Sequence, residues 1–207
     1  MELAEIKKFM EGKFKKGLPT NTFLSNMRLV DEEAKQSFAY TDQTYIPLYY
    51  WLGTLITPKT MVEIGFRLGL LSGNFLKSCK TVEQFIALQE VNSDEYYSAR
   101  LGRGNIKDNY KKYFYIHVGD VTDDVFVIKI KALEIDFAIV NEETTYDRLR
   151  GYFDLIWPQI SKGGLMLCDH LNREKVSAAA FKDFCITVNI EPTYINTTYG
   201  VGLIRKV

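Results

Sequence analysis

The chain has 207 residues, enough to bury one sizeable core, and its 46% apolar and 25% charged residues are ordinary for a globular protein. Its 26 Lys and Arg balance 26 Asp and Glu, so overall charge gives no footing for a nucleic-acid partner or an anionic membrane. The local exception is a cluster of Lys7, Lys8, Lys13, Lys15 and Lys16. It reads as a solvated helix end or arm, with a short phosphate-binding patch as the alternative.

No secretory leader and no apolar run of membrane-spanning length is legible. Cys79, Cys168 and Cys185 are few, odd in number and unpatterned, and only His117 and His170 could join them in a metal cluster. The expectation is a soluble cytoplasmic protein with buried, reduced thiols and no structural zinc.

In chain order, residues 1–41 are expected to form a helical segment, a lid or a dimer arm, ahead of a single domain over 42–207. The run "TDQTYIPLYYWLGTLI" reads as a leading helix. Its Tyr45, Tyr49, Tyr50 and Trp51 suit core packing, or a wall of a ligand site. Then "TMVEIG" is short, partly β-branched and closed by glycine, as a buried strand should be. "LLSGNFLKSC" follows as a helix, "QFIALQEV" as a strand, and "SDEYYSARLGRGNIKDNYKKY" as a polar helix with Ser93 as N-cap. "YFYIHVGD" is the third strand. A short connector leads to "IDFAIVN", the fourth, and then to the helix "TTYDRLRGYFDLIWPQI", ended by Pro158 and the Gly163–Gly164 pair. "LMLCDH" is the fifth strand, "REKVSAAAFKDFCI" an amphipathic helix, and "EPTYINTTYGVGLIRKV" a closing hairpin. Such alternation predicts a doubly wound α/β fold, a mostly parallel sheet with helices on both faces and an antiparallel strand from the hairpin.

Ligands of such sheets sit beyond the carboxyl ends of the strands, so the turn after the first strand matters most. Gly65 and Gly69 allow a sharp turn and close approach of backbone to a ligand. Glu63 can accept hydrogen bonds from an ammonium or from amides of the turn. The pattern is E-x-G-x-x-x-G, with Arg67 where the middle glycine of a dinucleotide loop would stand. That departure, with the closing hairpin, disfavours a nicotinamide-dependent dehydrogenase.

"VEIGFRLGLLS" resembles the first motif of class I S-adenosylmethionine (SAM)-dependent methyltransferases. The resemblance continues in order through "FIALQEV", "IHVGDVTDD", "IDFAIVNEETTY", "WPQISKGGLMLCDH" and the hairpin, from about Asp42 to the end. The chain is most similar to small O-methyltransferases, which read "IDGDHSY" or "IDADK" where it has "VNEETTY". The resemblance implies a Rossmann-like seven-stranded sheet of order 3-2-1-4-5-7-6. It implies that Glu63, Gly65, Phe66, Gly69 and Ser72 hold the methionine part of SAM. The ribose acid falls on Gln89, or on Glu90 by a shifted register, and Asp120 lies near the adenine edge.

Metal-dependent relatives carry an Asp after strand four and an Asp-Asn pair after strand five. The matching positions here are Asn141, Asp169 and His170, a set with one carboxylate and so poorer for Mg²⁺ or Ca²⁺. His170 is also suited to general-base work, with Asp169 orienting it or binding the acceptor. His117, mid-strand, reads as a satisfied core or edge residue. Glu142 and Glu143 read as acids at a helix start, with contact to a polar acceptor as the alternative, and Tyr146 as packing of that helix. The expected activity is SAM-dependent, in-line O-methylation of a small hydroxylated acceptor, a sugar or other metabolite, with a divalent metal open. A homodimer is an open partner, and neither nucleic acid nor membrane is expected. The alternative is a degenerate methyltransferase fold kept as a binding or scaffold subunit, motivated by Gln89, Asn141 and the missing "DGDH".

Overall fold

Buried strands alternating with helices leave two faces of one sheet to cover, and the computed structural model covers them on both sides. It describes residues 2–14, 45–90, 93–173 and 175–207. Along these, α1 (Leu3–Phe14) and α2 (Tyr45–Leu55) precede β1 (Thr60–Ile64), α3 (Leu70–Ser78), β2 (Gln84–Gln89) and α4 (Ser93–Asn109). Next come β3 (Tyr113–Val118), α5 (Asp124–Lys131), β4 (Ile135–Val140), α6 (Tyr146–Ile156) and β5 (Ile160–Cys168). The chain closes with α7 (Lys175–Thr187), β6 (Thr193–Ile195) and β7 (Val201–Arg205).

The seven strands form one sheet of order β3-β2-β1-β4-β5-β7-β6. The first five are parallel, and β7 runs antiparallel between β5 and β6. This is the expected topology. Strand alternation divides the apolar residues into two cores. Met61, Phe85, Ala87, Phe137 and Ile139 face α1 to α4, whereas Val62, Ile86, Leu88, Ala138 and Val140 face α5 to α7. Burial on both faces is why these strands read as apolar runs.

The leading helices belong to the first of these cores. Ile6 and Met10 of α1 and Tyr49 and Leu52 of α2 are fully buried, each stabilising the docked helices by about 2 kcal/mol. The rest of the segment expected to be a lid or arm, residues 15–41, lies outside the described residues. No described helix is long and apolar enough to cross a membrane. The three cysteines are free and buried.

Two boundaries differ from the sequence reading. The connector between β3 and β4 contains α5, whose Phe126 and Ile130 are buried one turn apart while Val125 and Ile128 face solvent. Its run of β-branched residues hides the helical period, but a parallel crossover requires such an element. The strand β5 begins at Ile160 rather than Leu165, running through Gly163 and Gly164 with a register shift against β4. Pro158 sits in a 3₁₀ turn, Trp157–Gln159, between α6 and that strand.

Candidate active site

The turn after β1 is built from left-handed backbone. Gly65, Arg67 and Gly69 have φ of 84°, 45° and 69°. A Cβ on Gly65 would collide with the carbonyl oxygen of Asn141, at the end of the neighbouring β4, and one on Gly69 would sit 2.8 Å from the Phe66 ring. Glycine is therefore required at both places. Arg67 holds a conformation costing a non-glycine residue about 1–2 kcal/mol. What fixes it is Gln89, whose Oε1 accepts a hydrogen bond from the Arg67 backbone N–H at 2.5 Å. Gln89 thus braces the turn. Phe66 packs beneath it against Phe85 and Phe114, with ring centroids 6.1 and 5.9 Å away.

Glu63 is fully buried at the end of β1. Its Oε2 accepts a hydrogen bond from the Ser72 hydroxyl of α3, and its Oε1 has no hydrogen-bond partner. Burial pushes its carboxyl pKa up to about 8; the Ser72 bond opposes this and the nearby Asp169 charge adds to it. At neutral pH Glu63 holds its proton.

The side chains of Gln89 and Glu90 leave opposite faces of the sheet, because successive residues alternate. Glu90 turns toward α6, where it is 9% exposed and pairs through Oε2 with Nη1 of Arg148. Its Oε1 makes no hydrogen bond, and the Tyr152 hydroxyl lies close by but outside hydrogen-bond geometry. Arg148 Nη2 donates to Asp120 Oδ2 at 2.8 Å, beyond the end of β3. Asp120 Oδ1 accepts from the Thr122 backbone N–H and hydroxyl at 2.8 and 2.7 Å. Those Thr122 bonds, with Arg148, hold the Asp120 carboxyl below the usual carboxylate range.

At the ends of β4 and β5, Asn141 donates its side-chain amide to the Gly65 carbonyl at 3.2 Å. Asp169 accepts from the Tyr49 hydroxyl at Oδ2 and from the His170 backbone N–H at Oδ1, the latter at 2.6 Å. His170 adopts φ 63° and is 4% exposed. Its Nε2 lies 3.4 Å from Glu143 Oε1, and its ring centroid lies 5.0 Å from that of Tyr199. Arg173 Nη1 approaches the same Glu143 oxygen at 3.6 Å. Among the described residues, no three His, Cys, Asp or Glu side chains gather as a metal site.

The two glutamates after β4 are not at a helix start. Thr145 is the N-cap of α6, its hydroxyl accepting from Arg148 N–H. Glu142 instead lies buried beside Gly65, and Glu143 faces His170. Tyr146 opens α6 and ties it to Asp183 of α7 at 2.8 Å. His117 bonds Asp123 at 2.7 Å and stacks on Phe126, a structural role. One residue of this edge escaped sequence reading: Arg148 looked like an ordinary helix charge. Tyr49 and Glu143 were legible as candidates, but not the partners they find, Asp169 and His170.

No protein-family profile matches the chain, and no curated protein matches it in sequence. Solved structures do match in three dimensions. The O-methyltransferase TomG from Streptomyces achromogenes, involved in tomaymycin synthesis and solved with SAM, superposes with a TM-score of 0.69 at 13% identity, covering 100% of this chain and 99% of that one. A methyltransferase of Podospora anserina, solved with S-adenosylhomocysteine (SAH), gives 0.67 at 15% identity, covering 100% and 97%. An O-methyltransferase from Bacillus cereus in complex with SAH gives 0.60 at 13% identity, covering 100% and 92%. The fold is that of SAM-dependent O-methyltransferases. On this methyltransferase fold, the glycine turn, Glu63, Glu90, Asp169 and His170 all collect at one edge, the carboxyl ends of β1, β2, β4 and β5.

Proposed function

We propose that the chain binds S-adenosylmethionine along the carboxyl edge of β1 and β2 and methylates a hydroxyl of a small acceptor. One observation carries this reading. Two enclosed carboxyl oxygens, Glu63 Oε1 and Glu90 Oε1, have no hydrogen-bond partner and stand at the ends of adjacent strands. A buried polar atom without a partner costs about 1–3 kcal/mol. A ligand with an ammonium at one end and a ribose diol at the other satisfies both, and SAM has that form.

Bound SAM supplies an electrophilic methyl group on a sulfonium centre. The residues of the chain then have separable tasks. Gly65 and Gly69 let the backbone approach the ligand, with Phe66 as a packed floor and Ser72 orienting Glu63. Glu63 meets the ammonium, which favours its ionised form, so binding releases a proton. Glu90 receives a ribose hydroxyl. At the β4–β5 edge, the His170 imidazole takes the acceptor proton while Glu143, beside its Nε2, orients the ring, a contribution of roughly 10²- to 10⁴-fold for such bases. Asp169, fixed by Tyr49, lines the acceptor side, and α2 forms part of its wall. A divalent metal on Asn141, Asp169 and His170 has less support, because both Asp169 oxygens already accept hydrogen bonds within the chain and, among the described residues, no three His, Cys, Asp or Glu side chains gather as a metal site.

Calorimetry with SAM, followed by transfer of a labelled methyl group to a panel of small hydroxylated acceptors, tests the reading. Saturable binding and a methylated product are expected. No binding of SAM or SAH in several buffers would sink it, and binding without turnover on any acceptor would leave a ligand-binding protein on this fold.

A further inference from the structure

Arg148 stands where its own helix gives it no reason to be. It is in the first turn of α6, at the positive end of the helix dipole, where a cation is disfavoured. Its side chain is 46% exposed, and an ion pair of that kind usually contributes little. Yet its guanidinium spans two carboxylates from two other strand ends, Glu90 after β2 and Asp120 after β3.

The oxygens show what that bridge accomplishes. Asp120 Oδ1 is taken by both Thr122 donors, Asp120 Oδ2 by Arg148 Nη2 and Glu90 Oε2 by Arg148 Nη1. Glu90 Oε1 is the remaining oxygen of the four, enclosed and without a hydrogen bond. Holding one oxygen by a guanidinium fixes the rotation of the carboxylate plane, and with it the direction of the other oxygen.

We propose that Arg148 is a positioning residue of the cofactor site, the ion partner that holds Glu90 turned so that Oε1 receives a ribose hydroxyl. Gln89 is then not the ribose contact, since its amide is committed to the Arg67 backbone. The assignment rests on the cofactor reading above.

The experiment compares SAH with its 2′,3′-dideoxy analogue by calorimetry on the full chain, as wild type, R148K, R148A and E90Q. In wild type, removing the hydroxyls is expected to weaken binding roughly 10- to 100-fold, the range for a hydrogen bond to a charged group. R148A and E90Q are expected to bind SAH more weakly and to treat the two ligands alike, within about 2-fold. R148K, which keeps the charge but not the planar fork, is expected to retain part of the preference. Wild-type hydroxyl preference persisting in R148A, or SAH binding as tight as wild type, would overturn the assignment, including where R148A only lowers the melting temperature. Wild type that binds neither ligand takes down the cofactor reading itself, and Arg148's role with it.

Discussion

Tyr49 of α2 donates its phenolic hydrogen to Oδ2 of Asp169 at the end of β5, joining residues 120 apart in sequence. Tyr49 is fully buried and Asp169 2% exposed, so the bond is made where water does not compete. It fastens α2 to the carboxyl end of β5 and holds Asp169 in one orientation.

Replacing Tyr49 by Phe removes that bond while keeping the ring in the core. Stability should fall by about 1–3 kcal/mol, the cost of an unsatisfied buried group, as read from urea unfolding. Turnover should fall while SAH affinity stays within about 2-fold of wild type. Equal losses in binding and turnover would mean that the bond supports the whole edge rather than the acceptor side.

Glu63 gives a pH signature. Its folded pKa, about 8, lies above the ordinary 4.5, so between those values the folded state binds the extra proton. Its contribution to stability is therefore full below about pH 4.5, declines as pH rises, and is gone above about 8. The limiting slope is about 1.4 kcal/mol per pH unit. The difference in unfolding free energy between wild type and Glu63→Gln should shift against wild type over that window; a flat difference refutes it. In the cofactor reading, calorimetry in buffers of different ionisation enthalpy should also detect a proton released on SAM binding near pH 7.

Two glycines with the same φ separate backbone strain from collision. Gly65 and Gly163 both have φ 84°, but a Cβ meets the Asn141 carbonyl at Gly65 and nothing within 4 Å at Gly163. Gly163→Ala should cost only the left-handed penalty, about 1–2 kcal/mol. Gly65→Ala should cost clearly more and abolish SAH binding. Thermal melts of the two variants decide this, and similar losses would show that the β1–β4 contact yields easily.

His170 and Glu143 should separate chemistry from binding. His170→Ala is expected to reduce methyl transfer by roughly 10²- to 10⁴-fold with SAH affinity preserved. Glu143→Gln, which keeps the shape but not the charge, should reduce it less. If added Mg²⁺ or Mn²⁺ restored His170→Ala, the proton-transfer role given to the imidazole would be wrong.

The sequence alone determined the fold class and the glycine turn. Alternating buried strands and helices, an acid followed by two spaced glycines, and a final hairpin are local patterns, and local patterns follow from periodicity and backbone freedom. It also marked Glu63, Gly65, Gly69, Asp169 and His170 as the residues of interest. Only the tertiary structure decided what each one touches. Side-chain parity at the end of β2 sent Gln89 to the turn and Glu90 to α6, a choice fixed by sheet register rather than by residue type. Tyr49, Glu143 and Arg148 joined the site across gaps that no spacing rule spans. Buried charges and hydroxyls must find partners wherever the folded chain brings them, and that search is settled only once the sheet and its helices have closed.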